Sequence, residues 1–333
     1  MQDWESVIIN KNVLFITTKN IDYIRNTQEI ELLKDCTNEL RVLYSNKKNY
    51  FLRIFEIYYK ILFCSIKNFD VAFIGFAPQL VLPFFRKKLK NKIIIIDFFI
   101  SVYDTMVNDR KRFAVASVAA KMCHILDENT LSKADYIISD TKAHAKYFCD
   151  EFGINSKKID TFYLEADKTI FYPRESQKPL QLKNKFVVLY FGSILPLQGI
   201  DIILSAVDEL KGRKELYFII IGKIGNKYIK PLGDHIEYID WVSQEKLAEY
   251  IAIADLCLAG HFNDQIEKAK RTIPGKAFIY EAMKKVMVLG ENEANREIFK
   301  NDHRHFFSEM GNVEALKNVI IERSMSAIHK EIL

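Results

Sequence analysis

The stretch RTIPGKAFIYEAM, residues 271–283, places an ammonium where a helix should be apolar. Pro274 suits a first helical turn, because its missing N–H is one that no intrahelical bond would use, and good helix formers follow it. At about 100° per residue, Phe278, Ala282, Ile279, Met283 and Tyr280 form one apolar arc with Lys276 inside it, while Glu281, Lys284 and Lys285 fall outside. Two readings stay open. Either Lys276 lays its methylenes on apolar surface and carries its charge out to water, or it joins the unpaired N–H groups and positive dipole end of the helix in an anion grip. A second chemical stretch is YFGSILPLQGID, residues 190–201, where a strand ends in Gly192 and Gly199 precedes a helix. Glycines there let backbone N–H groups approach a ligand, although a plain turn needs them too. A third is IIIID, residues 93–97: Asp97 closes a strand, and Asp104 and Arg110 follow in the next loop. A carboxylate so placed is a structural cap or ion-pair partner, or a base or positioning group for a hydroxyl. His124, His144 and His261 read as solvated or capping residues.

These residues need elements to hold them. Six β-branched runs recur with helix-length gaps: VLFITT, LRVLYS, DVAFIGF, KIIIIDFF, DYIISDT and KIDTFYL. Such spacing predicts a mostly parallel sheet covered on both faces. From Glu165 to Asn184 the chain turns polar, with two prolines and no sustained period, which reads as an interdomain linker. A second series follows, with FVVLYFG, LYFIIIG, HIEYIDWV, ADLCLA and VMVLG as strands and IDIILSAVDELK, SQEKLAEYIA and PGKAFIYEAMKK as helices. Two Rossmann-like α/β domains are therefore expected, at residues 1–173 and 185–318, joined through 174–184, with a helix at 319–333 packing back toward the first. Ligands of such sheets bind at the carboxyl ends of the strands, so the expected site is the cleft between the domains.

Composition excludes several classes. A chain of 333 residues, 49% hydrophobic and 27% charged, can bury two ordinary cores. Its five cysteines have no CxxC or Cys/His spacing, and MQDWESVIIN lacks a signal pattern, so a cytoplasmic protein without zinc or disulfides is expected. The longest uncharged run, VAFIGFAPQLVLPFF, is too short to span a bilayer. No GxGxxG follows the first strand and no GxxxxGK[ST] occurs, which argues against a dehydrogenase or P-loop NTPase. The net charge of +5 is unevenly placed: ten basic residues between Lys47 and Lys92 face only Glu56 and Asp70. Mixed with FLRIFEIYYKILF and LPFFRKKLKNK, they suit either an anionic membrane surface or an ordinary solvated face, and no nucleic-acid motif accompanies them.

The segments GSILPLQGIDIILSA, IIIG, DWVSQEKLAEYIAIADLCLAG and KAKRTIPGKAF come in the order and spacing of the C-terminal domain of retaining glycosyltransferases of family 4, which have the GT-B fold. DFFISVYDTMVNDRK and ADYIISDTKAHAKYFCDEFG resemble segments of bacterial polysaccharide glycosyltransferases of that family. The resemblance implies a nucleotide diphosphate-sugar donor and a glycan acceptor, lipid-linked and destined for a surface polysaccharide. It implies that Lys276 contacts the donor diphosphate, with Lys268 and Arg271 adding charge. Gly192 and Ser193 fall in the donor loop, backbone near Gly222 and Val242 selects the base, and His261, after LCLAG, is placed to touch the donor sugar. Glu281 takes the ribose in one alignment; in the other, Arg271 and Ile279 replace the family's glutamate pair. Ser193 and Gln198 stand where many members carry arginine and lysine. The acceptor-side group is expected at the carboxyl end of a strand in the first domain, which makes Asp97 the catalytic candidate there, with Asp104 and Arg110 in the loop that follows. The leaving diphosphate is stabilised by cations and a helix N-terminus, and with no Asp-x-Asp in the chain a metal-independent hexosyl transfer without cofactor is expected, in the cytoplasm or at the inner face of the cell membrane. The departures leave open a non-catalytic partner of GT-B shape, and a sugar-nucleotide epimerase is a further alternative.

Overall fold

The computed structural model describes residues 3–332, with side chains from Trp4 to Ala327. The chain forms two compact units, 1–164 and 165–333. In the first, β1 (Asn12–Ile16), β2 (Glu39–Leu43), β3 (Val71–Ile74), β4 (Ile93–Asp97), β5 (Tyr136–Ser139) and β6 (Ile159–Thr161) form a parallel sheet in the order β2-β1-β3-β4-β5-β6. In the second, β7 (Phe186–Phe191), β8 (Leu216–Ile221), β9 (Ile236–Ile239), β10 (Leu256–Gly260), β11 (Met287–Gly290) and β12 (His305–Ser308) run parallel in the order β12-β11-β10-β7-β8-β9.

Isoleucine-rich runs form these strands because both sheet faces are buried under helices. Alternation then sends Leu14, Ile16, Ile94 and Ile96 to one core and Val13, Phe15, Val71 and Ile95 to the other. Helix starts are fixed locally: Ser117, Thr141, Ser243 and Asn292 each accept a backbone N–H three residues on. The strand order reverses between β1 and β3 in the first unit and between β7 and β10 in the second. Chain crossovers part there, which opens a crevice at the carboxyl ends.

The eleven expected strands are present. β12 and the helix Glu293–Ile298 before it were not expected. The polar stretch 165–184 lies with the second unit, because Phe171 and Leu182 are buried in its core and Lys178 pairs with Asp255. The terminal helix Val313–Ile332 places Leu316 and Ile320 against Ile203 and Val207 in that same unit. Leu333, the last residue of the expected 319–333 helix, lies outside the described residues, as do Met1 and Gln2 of the N-terminal stretch. Among the described residues no helix is long and apolar enough to cross a membrane.

Candidate functional site

In the second unit the sequence candidates gather at the carboxyl ends of β7, β8 and β10. β7 runs out into Gly192 (φ +141°) and β8 into Gly222 (φ +147°). A Cβ on Gly222 would stand 2.3 Å from the Gly192 carbonyl oxygen, so glycine is required for the two loops to lie together. A Cβ on Gly192 would stand 3.2 Å from Cε and Nζ of Lys276. Beside these loops is a cavity of about 460 Å³ lined by Phe191, Gly192, Ser193, Gly222, Trp241 and Val242, among others. Its volume falls within the range of small-molecule sites.

Lys276 occupies the first turn of the helix Gly275–Ala282 and is 6% exposed. Its stem does not carry the charge out to water. Nζ donates to Gln198 Oε1 at 2.6 Å and lies 4.0 Å from the centre of the Tyr190 ring. No carboxylate among the described residues pairs with it, and burial pushes its pKa well below the usual lysine value. Gln198 is held in turn: its carbonyl accepts the Phe262 N–H at 3.2 Å, and Gly199 (φ +69°) turns the chain into the helix Ile200–Leu210 against the Phe262 backbone.

His261 follows β10 and is buried. Burial first, then the charges of Lys276 and Lys268, push its pKa down to about 3, so the ring is neutral near pH 7. Its Nδ1 lies 3.4 Å from Thr272 Oγ1, and that hydroxyl donates to the Lys268 carbonyl at 2.9 Å. Lys268 and Arg271 share the short helix Glu267–Arg271 immediately before Pro274. Lys276, Lys268 and His261 are thus one electrostatic neighbourhood.

Glu281 is elsewhere. At about 1.5 Å per residue it lies roughly 7 Å along the helix from Lys276, toward the amino ends of the strands. There it accepts from Arg304 Nη1 and Nη2 at 3.1 and 3.0 Å and sits 2.7 Å from His305 Nε2, at the amino end of β12. The expected ribose role is corrected to an anchor of the helix on β12.

Asp97 in the first unit is 1% exposed, and Arg25 takes both its oxygens, Nε to Oδ2 and Nη2 to Oδ1, each at 2.7 Å. Arg25 also donates to the Phe162 carbonyl at 2.8 Å, while burial and the Asp97 charge raise the pKa of neighbouring Glu29 well above the carboxylate range. Of the two readings of Asp97, the geometry matches the ion-pair one, and a base role is corrected accordingly: the carboxylate is enclosed and charge-compensated. Asp104 is also buried, its Oδ1 accepting from Asn108 Nδ2 at 3.0 Å within the wide turn Asp104–Asp109. Arg110 is exposed just beyond that turn. His144, expected to be solvated or capping, is fully buried against Phe148, with Nδ1 2.7 Å from Asp140 Oδ1. Asp127, which sequence reasoning missed, is the hub of this edge: it accepts from Ser101, Gln79 and the N–H groups of Val102 and Tyr103. Tyr190 and Arg25 were missed as well. Among the described residues no group of three His, Cys, Asp or Glu is placed to hold a metal ion.

Residues 185–323, which carry the glycine loops and Lys276, match the family model described as Glycosyl transferases group 1. Solved structures extend the likeness to both units: sucrose-phosphate synthase from Thermosynechococcus elongatus superposes with a TM-score of 0.67 at 11% identity, covering 95% of this chain and 90% of that one. The fold is GT-B. Anabaena HepE in complex with UDP-glucose is similar at a TM-score of 0.63 and 14% identity, over 94% of this chain and 89% of its own. In sequence, D-inositol 3-phosphate glycosyltransferase of a Nocardioides strain is 24% identical over 165 residues, which is 41% of this chain and 36% of that relative.

Proposed function

We propose that the chain is a glycosyltransferase that moves a sugar from a nucleoside diphosphate-sugar to a glycan acceptor. The observation that carries this reading is Lys276: a buried ammonium in the first turn of a helix, at the strand-order reversal of the second unit, held by an amide and facing no carboxylate. A protein tolerates such a group where an anion completes it. The donor diphosphate lies on the N-terminal turn of Gly275–Ala282 with Lys276, Lys268 and Arg271 around it, and the base occupies the cavity by Val242 and Trp241. As the bond from the anomeric carbon to the diphosphate oxygen breaks, negative charge grows on the leaving oxygen, and these fixed cations stabilise it more than the ground state. Gln198 orients Nζ without cancelling its charge.

The UDP-glucose complex of HepE favours a uridine nucleotide. Side-chain cations around the diphosphate support metal-independent transfer. Retention, family 4, a hexosyl donor and a lipid-linked polysaccharide acceptor rest on the resemblance of the KAKRTIPGK and N-terminal segments to that family. Five free cysteines agree with a cytoplasmic location. Calorimetric titration with UDP and GDP, in EDTA and then in magnesium, is the test. Micromolar UDP binding, equal in both, is expected; no binding of either nucleotide would refute the donor site.

A further inference from the structure

We infer that the helix Tyr50–Phe63 is the core of a docking surface for an anionic lipid bilayer. The helix has two apolar faces. One, with Ile57 and Ile61, is buried in the first unit's core. The other is in water: Phe51 is 85% exposed, Phe55 74% and Phe63 73%, with Leu52, Tyr59 and Leu62 also more than half exposed. At about 100° per residue these six side chains fall within one arc of roughly 120°, which no charged residue interrupts. Glu56 and Lys60 lie beyond the arc's edge and pair with each other. Exposed Phe84 extends the surface through Tyr58, whose ring centre is 5.9 Å away. An apolar patch of this size is far more than the scattered exposed residues of an ordinary surface, and a helix apolar on both sides has a second medium to meet.

Charge identifies that medium. Exposed Lys47 and Lys48 stand just before the helix, exposed Lys67 just after it, and exposed Lys87 and Lys90 on the segment following Phe84. That segment is fixed against the helix end, since Lys88 Nζ donates to the Leu62 carbonyl. The apolar strip is therefore bracketed by lysines at both ends, as in helices that lie in an anionic lipid–water interface with rings among the acyl chains and ammoniums among the headgroups. A second copy of the chain docking by the same face would bring a like-charged rim against this one. The inference is independent of the donor-site reading, because none of its residues belongs to the second unit.

The test is co-sedimentation of the full chain with vesicles of phosphatidylcholine alone and of phosphatidylcholine with phosphatidylglycerol, at low and high salt. Wild type is expected to bind the phosphatidylglycerol vesicles, less at high salt. Phe51→Ser/Phe55→Ser/Phe63→Ser should weaken partitioning by at least about a hundred-fold, and Lys87→Glu/Lys90→Glu by about ten-fold or more. All five side chains are exposed, so both variants should keep the wild-type melting temperature and UDP affinity. That control separates a failure of docking from a failure of the donor site. Absence of vesicle binding by wild type, binding that survives the triple substitution, or indifference to phosphatidylglycerol would overturn the inference. So would a wild-type dimer that the triple variant dissociates, since the face would then belong to a second copy.

Discussion

Replacing Lys276 by methionine keeps most of the stem's volume and removes the charge, so it separates an anion grip from a packing residue. In the nucleotide-free protein the ammonium is buried without a counter-charge, and its pKa lies well below the 10.5 of an ordinary lysine. Between those two values the unfolded chain holds a proton that the folded one has released, so wild-type stability rises with pH across that window. Lys276→Met should accordingly melt at or above the wild-type temperature at neutral pH, with its advantage shrinking as pH climbs toward 10.5. Nucleotide binding should move the other way. A charge-assisted contact is worth about 1.5–3 kcal/mol, and at about 4 Å and an effective dielectric of about 20 the bare attraction is about 4 kcal/mol. A loss of about 2–4 kcal/mol is roughly 30- to 1000-fold in UDP affinity. Because the diphosphate favours the charged amine, titrations above the depressed pKa should also show proton uptake, read as a binding heat that varies with buffer ionisation enthalpy. A variant that melts lower and binds UDP like wild type would make Lys276 a structural residue and refute the reasoning.

Three further outcomes follow from the same geometry. Asp97→Ala leaves Arg25 buried without its partner and should lower stability in urea by about 3–5 kcal/mol; native stability with lost turnover would instead restore the base role. Glu281→Gln should leave UDP affinity unchanged in the same calorimetric assay, because the carboxylate faces Arg304 and His305, and a loss of about ten-fold or more would return it to the ribose. Gly222→Ala sets a Cβ 2.3 Å from the Gly192 oxygen at a φ of +147° and should cost about 2–4 kcal/mol in thermal unfolding, with nucleotide affinity lost alongside.

The strands were legible because parallel, doubly covered sheets demand continuous β-branched runs, and KIIIIDFF or LYFIIIG admit few other readings. β12 was not: HFFS is four residues long, opens on a histidine and sits at a sheet edge, so it carries little periodic signal. The oddity of Lys276 was visible from helical spacing alone, whereas its partners lie far away in sequence. Gln198, 78 residues upstream, looked like a missing family lysine until its amide proved to hold Nζ. Asp97 shows the same limit, since only the fold brings Arg25 across 72 residues to close it. Glu281 was given the ribose in one of two alignments, and its partners Arg304 and His305 lie more than twenty residues on, where no local pattern links them to it. The stretch 165–184 read as linker because three buried side chains, Ala166, Phe171 and Leu182, are too sparse to make a pattern.

The amide of Gln198 cannot be titrated near neutrality and brings no charge of its own, so the pocket keeps its positive excess at every pH where Lys276 is protonated. In a medium rich in inorganic anions such a place does not stay in water alone. Phosphate or sulfate from the buffer competes for it, and apparent nucleotide affinity becomes a property of the solution as much as of the protein. Under the proposed function, donor binding would then be an exchange with such an anion, and its measured heat would carry the anion's release.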